Sequence, residues 1–414
     1  MATLLIRNGT LLDCTGRAPL PNAAVLVKEN RIESAGVAAA VAQSPDDLVV
    51  VDAQGGFILP GFIDSHVHLA MEGYDLEGKL NTPFSYNFYQ AMTYFRRTLE
   101  AGITSVRDAG GVDLGMKQAV DEGLFAGPRV QISVCPLSST GGHGDDWRVS
   151  GADLTPFAAY PGMPDGICDG PDQVRKKVRE MLRAGAEIIK IMATGGVMSP
   201  RSRPEHTQFS PEELAAIAQE AASHGGIKVM AHAQGAEGIK AAVRAGIYSI
   251  EHGNYLDDEG VGLMVDKGTF FVPTLLAPVS LLEQTERNAK LPPYMVHKAQ
   301  EVYQAHRAAA ARAYRGGVKI AMGTDAAVMP HGTNLRELSL LCEAGMTPME
   351  AIVAATRVSA ECLGWQAQVG TIEPGKLADI VIWKTNPLED IASLADNANA
   401  VVVIKDGKIM KNLA

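Results

Sequence analysis

Between residues 58 and 365 the chain repeats one alternation, a short apolar run followed by a stretch of helical period. The runs fall at 61–69, 104–108, 129–136, 188–194, 228–233, 249–252, 270–275 and 319–325. Strands that are apolar on both faces need cover on both faces, and crossover helices supply it. Eight such units fit a (β/α)8 TIM barrel better than an open sheet. No Gly-rich dinucleotide fingerprint follows an early strand, which lowers the doubly wound alternative. The helix signals agree. Ser210-Pro211-Glu212-Glu213 supplies an N-cap, a first-turn proline and early acidic charge ahead of Leu214, Ile217 and Ala221.

The two ends read differently. Segments 4–8, 24–28 and 31–33 are β-rich, and 378–383, 400–405 and 408–410 mirror them around an Asp406-Gly407 turn. Asp-Gly between alternating runs signals a two-residue hairpin. Each end alone is marginal as a sheet. The two are therefore expected to combine in one small composite β-sandwich domain, 1–57 with 366–414, beside a barrel domain of 58–365.

Composition narrows the partners. Thirty-seven lysines and arginines against 47 acids give a net charge of −10, and no basic block occurs. Nucleic acid and anionic membrane are disfavoured as partners. No apolar run reaches roughly 18 residues, the length a spanning helix needs. The opening residues Met1 to Gly9 turn before a signal-peptide core could form. Cys14, Cys135, Cys168, Cys342 and Cys362 are an odd set without CxxC spacing, which fits reduced thiols. A cytoplasmic enzyme is expected.

In a barrel the strand ends converge on one mouth, where active sites sit. The first run ends in Asp64-Ser65-His66-Val67-His68, the fifth in His232, the sixth in Glu251-His252 and the eighth in Gly323-Thr324-Asp325. Alternation turns His66 and His68 to the same side. Singly, His232 or His252 reads as a core histidine and Asp325 as a helix cap. Together, four imidazoles and a carboxylate make a nitrogen- and oxygen-rich set that suits zinc or a similar divalent ion. Lys190, flanked by Ile188, Ile189, Ile191 and Met192, pays for desolvation unless it is paired or modified.

The run Pro60-Gly61-Phe62-Ile63-Asp64-Ser65-His66-Val67-His68, with Lys190, His232, His252 and Gly323-Thr324-Asp325, resembles the amidohydrolase superfamily of metal-dependent hydrolases. The resemblance covers nearly the whole chain and implies two divalent ions, most readily zinc. In it His66, His68 and Asp325 bind the more buried ion, His232 and His252 the second, and an N6-carboxylated Lys190 bridges both. It further implies attack by metal-activated hydroxide, with Asp325 as proton shuttle and His143 stabilising the oxyanion or binding substrate. His143 reads equally well as a loop residue, since Gly141-Gly142 can serve as a turn.

Ser139-Thr140-Gly141-Gly142-His143, the segment 190–199 and His232-Ala233-Gln234-Gly235 resemble a narrower, imidazolonepropionase-like branch. That branch includes Xaa-Pro and Xaa-Arg dipeptidases and hydrolases of N-acyl amino acids, ochratoxin A among their substrates. True imidazolonepropionases lack the bridging lysine, so Lys190 argues against that activity. Several dipeptidases of the branch carry Tyr where this chain has Gln234, so their specificity is not transferred.

The expected reaction is cleavage of an amide in a dipeptide or N-acyl amino acid, a small-molecule substrate, by a homo-oligomer. The alternative is a deaminase or cyclic-amide hydrolase acting on a heterocycle. Candidate substrate contacts are His143, Gln234, Arg201, Arg203 and His331, with Arg107 as another guanidinium able to grip a carboxylate. The long segment 145–172, carrying Trp147, Phe157 and Tyr160, is expected to cover the site.

Overall fold

The computed structural model describes residues 3–38, 48–73, 78, 81–287 and 291–413. Met1, Ala2 and residues 39–47 of the expected N-terminal β-segment lie outside them. The chain opens with β1 (Thr3–Leu11), β2 (Leu20–Lys28), β3 (Arg31–Val37), β4 (Leu48–Asp52) and β5 (Phe57–Pro60). The middle holds β6 (Phe62–Val67), β7 (Ile103–Asp108), β8 (Arg129–Ile132), β9 (Ile189–Met192), β10 (Val229–Ala233), β11 (Ser249–His252) and β12 (Phe270–Val272). The close is β13 (Ile380–Trp383), β14 (Ala400–Lys405) and β15 (Lys408–Asn412).

Both termini share one eight-stranded sheet in the order β15-β14-β13-β5-β1-β2-β3, with β4 on β1. Its core is Leu4, Ile6, Val25, Val27, Ile58, Ile380, Ile382, Val402 and Ile404, all buried. The Asp406-Gly407 turn has φ of 50° and 70° at its two positions, the left-handed pair that an Asp-Gly hairpin favours. β5 belongs to this sheet and β6 does not, so the change of sheet falls at Gly61.

The middle strands form two parallel sheets, β6-β7-β8 and β9-β10-β11-β12. All six residues of β6 and of β7 are buried, as strands covered on both sides require. Helices cover them. The helix Pro211–Ser223 begins in a reciprocal capping box, Glu213 N donating to Ser210 Oγ at 3.3 Å and Ser210 N to Glu213 Oε2 at 2.7 Å. A bridge between Leu137 and Ile191 links the two sheets at one edge.

The eighth expected strand is the exception. Among the described residues, 319–325 forms no ladder and contributes only the bridge Ile320–Phe271, with Ala326–Val67 just beyond. Asp325 and Ala327 have φ of 62° and 142°, which no extended strand sustains. At Gly323 an added Cβ would run into Val272 and sit 3.0 Å from His66 Cβ, so the segment is wedged between β12 and β6. Its backbone still bonds both neighbours, Phe271 N to Lys319 O at 2.9 Å and Asp325 N to His66 O at 2.8 Å. Among the described residues no helix is long and apolar enough to cross a membrane.

Candidate active site

The residues predicted from the strand ends converge. His66, His68 and Asp325 each offer one ligand atom, and the three atoms lie within 4.8 Å of one another. His68 Nε2 is 3.3 Å and His66 Nε2 3.6 Å from Asp325 Oδ1, and Lys190 Nζ is 3.4 Å from His66 Nε2. The His252 ring lies 5.0 Å from that of His66 and 4.5 Å from that of His232. His143 stacks on His232 at 4.3 Å.

Each of the four strand-end imidazoles is held through one nitrogen. His66 Nδ1 meets Glu251 Oε2 at 2.7 Å, His68 Nδ1 the Gly110 carbonyl at 2.8 Å and His252 Nδ1 Thr274 Oγ1 at 2.7 Å. His232 is held through the other nitrogen, Nε2 to the Gly195 carbonyl at 3.0 Å. Such outer partners fix ring orientation and leave the opposite nitrogen as the ligand. A divalent ion bound by nitrogen and oxygen donors therefore fits these residues.

Behind His66 lies a buried ion pair. Arg107 and Glu251 are fully buried, and Arg107 Nη2 reaches both Glu251 oxygens at 2.9 and 3.1 Å. Arg107 Nε also donates to Ser65 O at 2.6 Å, and Ser249 Oγ to Glu251 Oε1 at 2.6 Å. Asp64, also buried, accepts from Thr324 Oγ1 at 2.6 Å and Asn334 Nδ2 at 2.7 Å, which ties 324 to β6. His252, Thr274 and Asp325 all stand at positive φ (69°, 53° and 62°), strain that clusters at functional strand ends.

Burial sets the titration directions. It lowers His66, His232 and His252 well below the ordinary histidine value. It lowers Lys190 to about 8 against the pull of Glu251 and Asp325. At Asp325 burial pushes upward, but the His68 hydrogen bond and the charges of His66, His68 and Lys190 outweigh it and hold the carboxyl low.

A cavity of about 650 Å³ opens above this cluster. His143 and Gln234, both predicted, line it. His143 packs face-on to Gly196, where any Cβ would collide with its ring. Phe157 of the 145–172 segment sits 5.8 Å from the His68 ring, so that segment does overlie the cluster. Tyr160 joins Phe84 and Phe88 at 5.0 and 5.8 Å, and its hydroxyl donates to Asp113 Oδ2 at 3.1 Å.

Four predicted substrate contacts are placed elsewhere. Arg201 lies over the Trp147 ring at 5.6 Å, and Arg203 is exposed beside Glu205 and Glu301. His331 is buried against Tyr94, its Nε2 on the Met71 carbonyl at 2.8 Å. Arg107 is spent on Glu251 and Ser65. Glu251 and Asn254 were missed by the sequence reading, although an acid inside the buried run Ser249–His252 is as anomalous as Lys190.

Parallel strands covered by helices, with a His-His-Asp group at the strand ends that could hold a metal ion, are the arrangement of a TIM-barrel-type α/β fold. The Amidohydrolase family matches residues 57–410, and the chain belongs to it, within an imidazolonepropionase-like branch. It is a hydrolytic enzyme acting on amide bonds. Ochratoxinase of Aspergillus niger is 35% identical over 421 residues, spanning 98% of this chain and 86% of its own. An imidazolonepropionase of Anaeromyxobacter dehalogenans is 27% identical over 461 residues, spanning 99% and 96%. A solved Xaa-Pro dipeptidase with methionine bound in its active site superposes with a TM-score of 0.88 at 34% identity over 99% of both chains.

Proposed function

We propose that the chain hydrolyses the amide of a dipeptide or an N-acyl amino acid at a two-ion centre. The observation that carries this reading is the back-side anchoring of four imidazoles around Lys190 and Asp325. His66, His68 and Asp325 would hold one divalent ion, His232 and His252 a second, and an N6-carboxylated Lys190 both. The donor set suits zinc. Bound there, the ions would lower the pKa of a bound water and polarise a carbonyl oxygen.

The chain's own groups do the rest. Asp325, at the cavity floor, takes the proton of the attacking water and returns it to the leaving nitrogen. His143, fixed between His232 and Gly196, has an Nδ1 with no hydrogen-bond partner among the described residues and would donate to the developing oxyanion or hold substrate. The 145–172 segment closes over the cluster and limits water. The two parallel sheets with 319–325 are read as a closed barrel, the expected 58–365 domain without the β5 residues. The terminal sheet, β5 included, is read as the composite second domain expected for 1–57 with 366–414; the bridges at 137, 320 and 326 and the shared terminal sheet support this.

The test is a library of dipeptides and N-acyl amino acids offered to zinc-reconstituted protein. Free amino acid is the expected product. Ammonia without free amino acid would instead identify a deaminase, and no turnover with two ions bound would contradict a catalytic role.

A further inference from the structure

The last two residues of β7, Arg107 and Asp108, are both fully buried. Arg107 serves His66 through Glu251. Asp108 follows it directly, and a carboxylate removed from water needs compensating donors.

All three donors it finds are backbone amides. Asp108 Oδ2 accepts from Leu69 N at 2.8 Å, and Oδ1 from Gly110 N at 3.0 Å and Val112 N at 3.2 Å. Leu69 is the residue after His68, and Gly110 supplies the carbonyl that His68 Nδ1 meets at 2.8 Å. One carboxylate therefore ties down both the strand end that carries His68 and the glycine that orients its ring. His68 Nε2 is left turned to Asp325 Oδ1 at 3.3 Å. Gly110 stands at a φ of 137°, and a Cβ there would come within 2.7 Å of Pro136 and 3.0 Å of Phe157. Glycine is required at this turn, so no side chain of its own can fix it. An ionised carboxylate accepts only, and its bonds to amides are charge-assisted. An Asn side chain would set its own NH2 against at least one of the three N–H groups.

We infer that Asp108 is a positioning residue for His68. Resting on the two-ion reading above, this divides the His66–His68 pair between adjacent residues of β7. Arg107 sets His66 through Glu251, and Asp108 sets His68 through Leu69 and Gly110. Asp108 touches neither substrate nor ion. Its loss weakens the ion held by His66, His68 and Asp325 and spares the one held by His232 and His252.

The experiment compares Asp108→Asn with wild type in two ways. Nitrogen-15 shifts of the metal-free wild type are expected to show His68 as the Nδ1–H tautomer, and those of the variant a mixture, with His252 unchanged. Zinc competition with a chelator is expected to show one ion bound about tenfold more weakly and the other as in wild type, the lower end of what outer partners of a ligand histidine contribute. A variant that loses thermal stability but keeps the wild-type His68 shifts and both zinc affinities makes Asp108 a loop anchor only and overturns the proposal. Equal weakening of both ions overturns it too. If Asp108→Asn does not fold, the wild type decides through scalar couplings across the hydrogen bonds. They are expected from the Leu69 and Gly110 amides to the Asp108 carboxyl carbon and from His68 Nδ1 to the Gly110 carbonyl carbon, and the absence of any of the three overturns the proposal. If the wild type binds no zinc, the two-ion reading fails by itself, and the metal-free His68 shifts still judge Asp108.

Discussion

Replacing Glu251 by Gln is expected to damage the proposed metal binding through His66 while leaving every proposed ligand side chain in place. The carboxylate is fully buried and receives His66 Nδ1 at 2.7 Å, Ser249 Oγ at 2.6 Å and the Arg107 guanidinium at 2.9 and 3.1 Å. A Gln side chain keeps the volume but removes the charge, and its amino group faces either the guanidinium or the imidazole as a second donor. Leaving a buried guanidinium without its counter-charge costs about 3–5 kcal/mol of stability. Losing the acceptor that orients a ligand histidine typically costs about 10–100-fold in metal affinity. Denaturant unfolding of the metal-free protein measures the first, and zinc competition with a chelator measures the second. Nitrogen-15 shifts of His66 in the metal-free protein should report a lost Nδ1–H tautomer. Arg107→Met should move stability in the same direction. Zinc affinity within twofold of wild type in Glu251→Gln would show that the carboxylate does not orient His66 towards an ion, leaving it only the role of counter-charge to Arg107.

Three further outcomes follow from separate parts of the structure. Gly196→Ala forces a methyl into the His143 ring and should lower kcat at least tenfold with both ions retained; unchanged kcat would remove His143 from the chemistry. Tyr160→Phe deletes the bond to Asp113 but keeps the ring on Phe84 and Phe88, so about 1 kcal/mol of local opening is expected, read as faster amide exchange confined to 145–172. Burial raises the Glu337 carboxyl to about 8, against the Leu275 and Leu276 amides that donate to it. The folded state thus binds a proton that the unfolded state has released. Stability is full below the ordinary glutamate value and declines as pH rises towards 8, by up to about 1.4 kcal/mol per unit. Urea midpoints between pH 5 and 8 should fall more steeply for wild type than for Glu337→Gln, and parallel profiles would exclude Glu337 as the source.

Much of this was legible in the chain because parallel strands buried on both faces read as plain apolar runs, as β6 and β7 do. The gathering of His66, His68 and Asp325 was legible only from their joint occurrence at strand ends, since singly each has an ordinary structural reading. The segment 319–325 misled because Ile320, Ala321 and Met322 have strand character. Its path is set instead by the wedge of Gly323 against Val272 and His66, a tertiary fact. Arg107 misled in the opposite sense. Guanidinium chemistry suggests a substrate carboxylate, and only the fold shows Glu251 already occupying it. Arg201, Arg203 and His331 are near the right loops in sequence, but a loop residue's direction is not written in its neighbours.

The two-ion centre proposed for amide cleavage is built from six converging residues. Titrating metal-free protein with zinc, while following release of free amino acid from an N-acyl amino acid, tests it most directly. Activity should rise until two ions are bound per chain, and Lys190→Ala should bind fewer ions and stay inactive. Full activity in the metal-free protein, or two ions bound to Lys190→Ala with normal turnover, would contradict it.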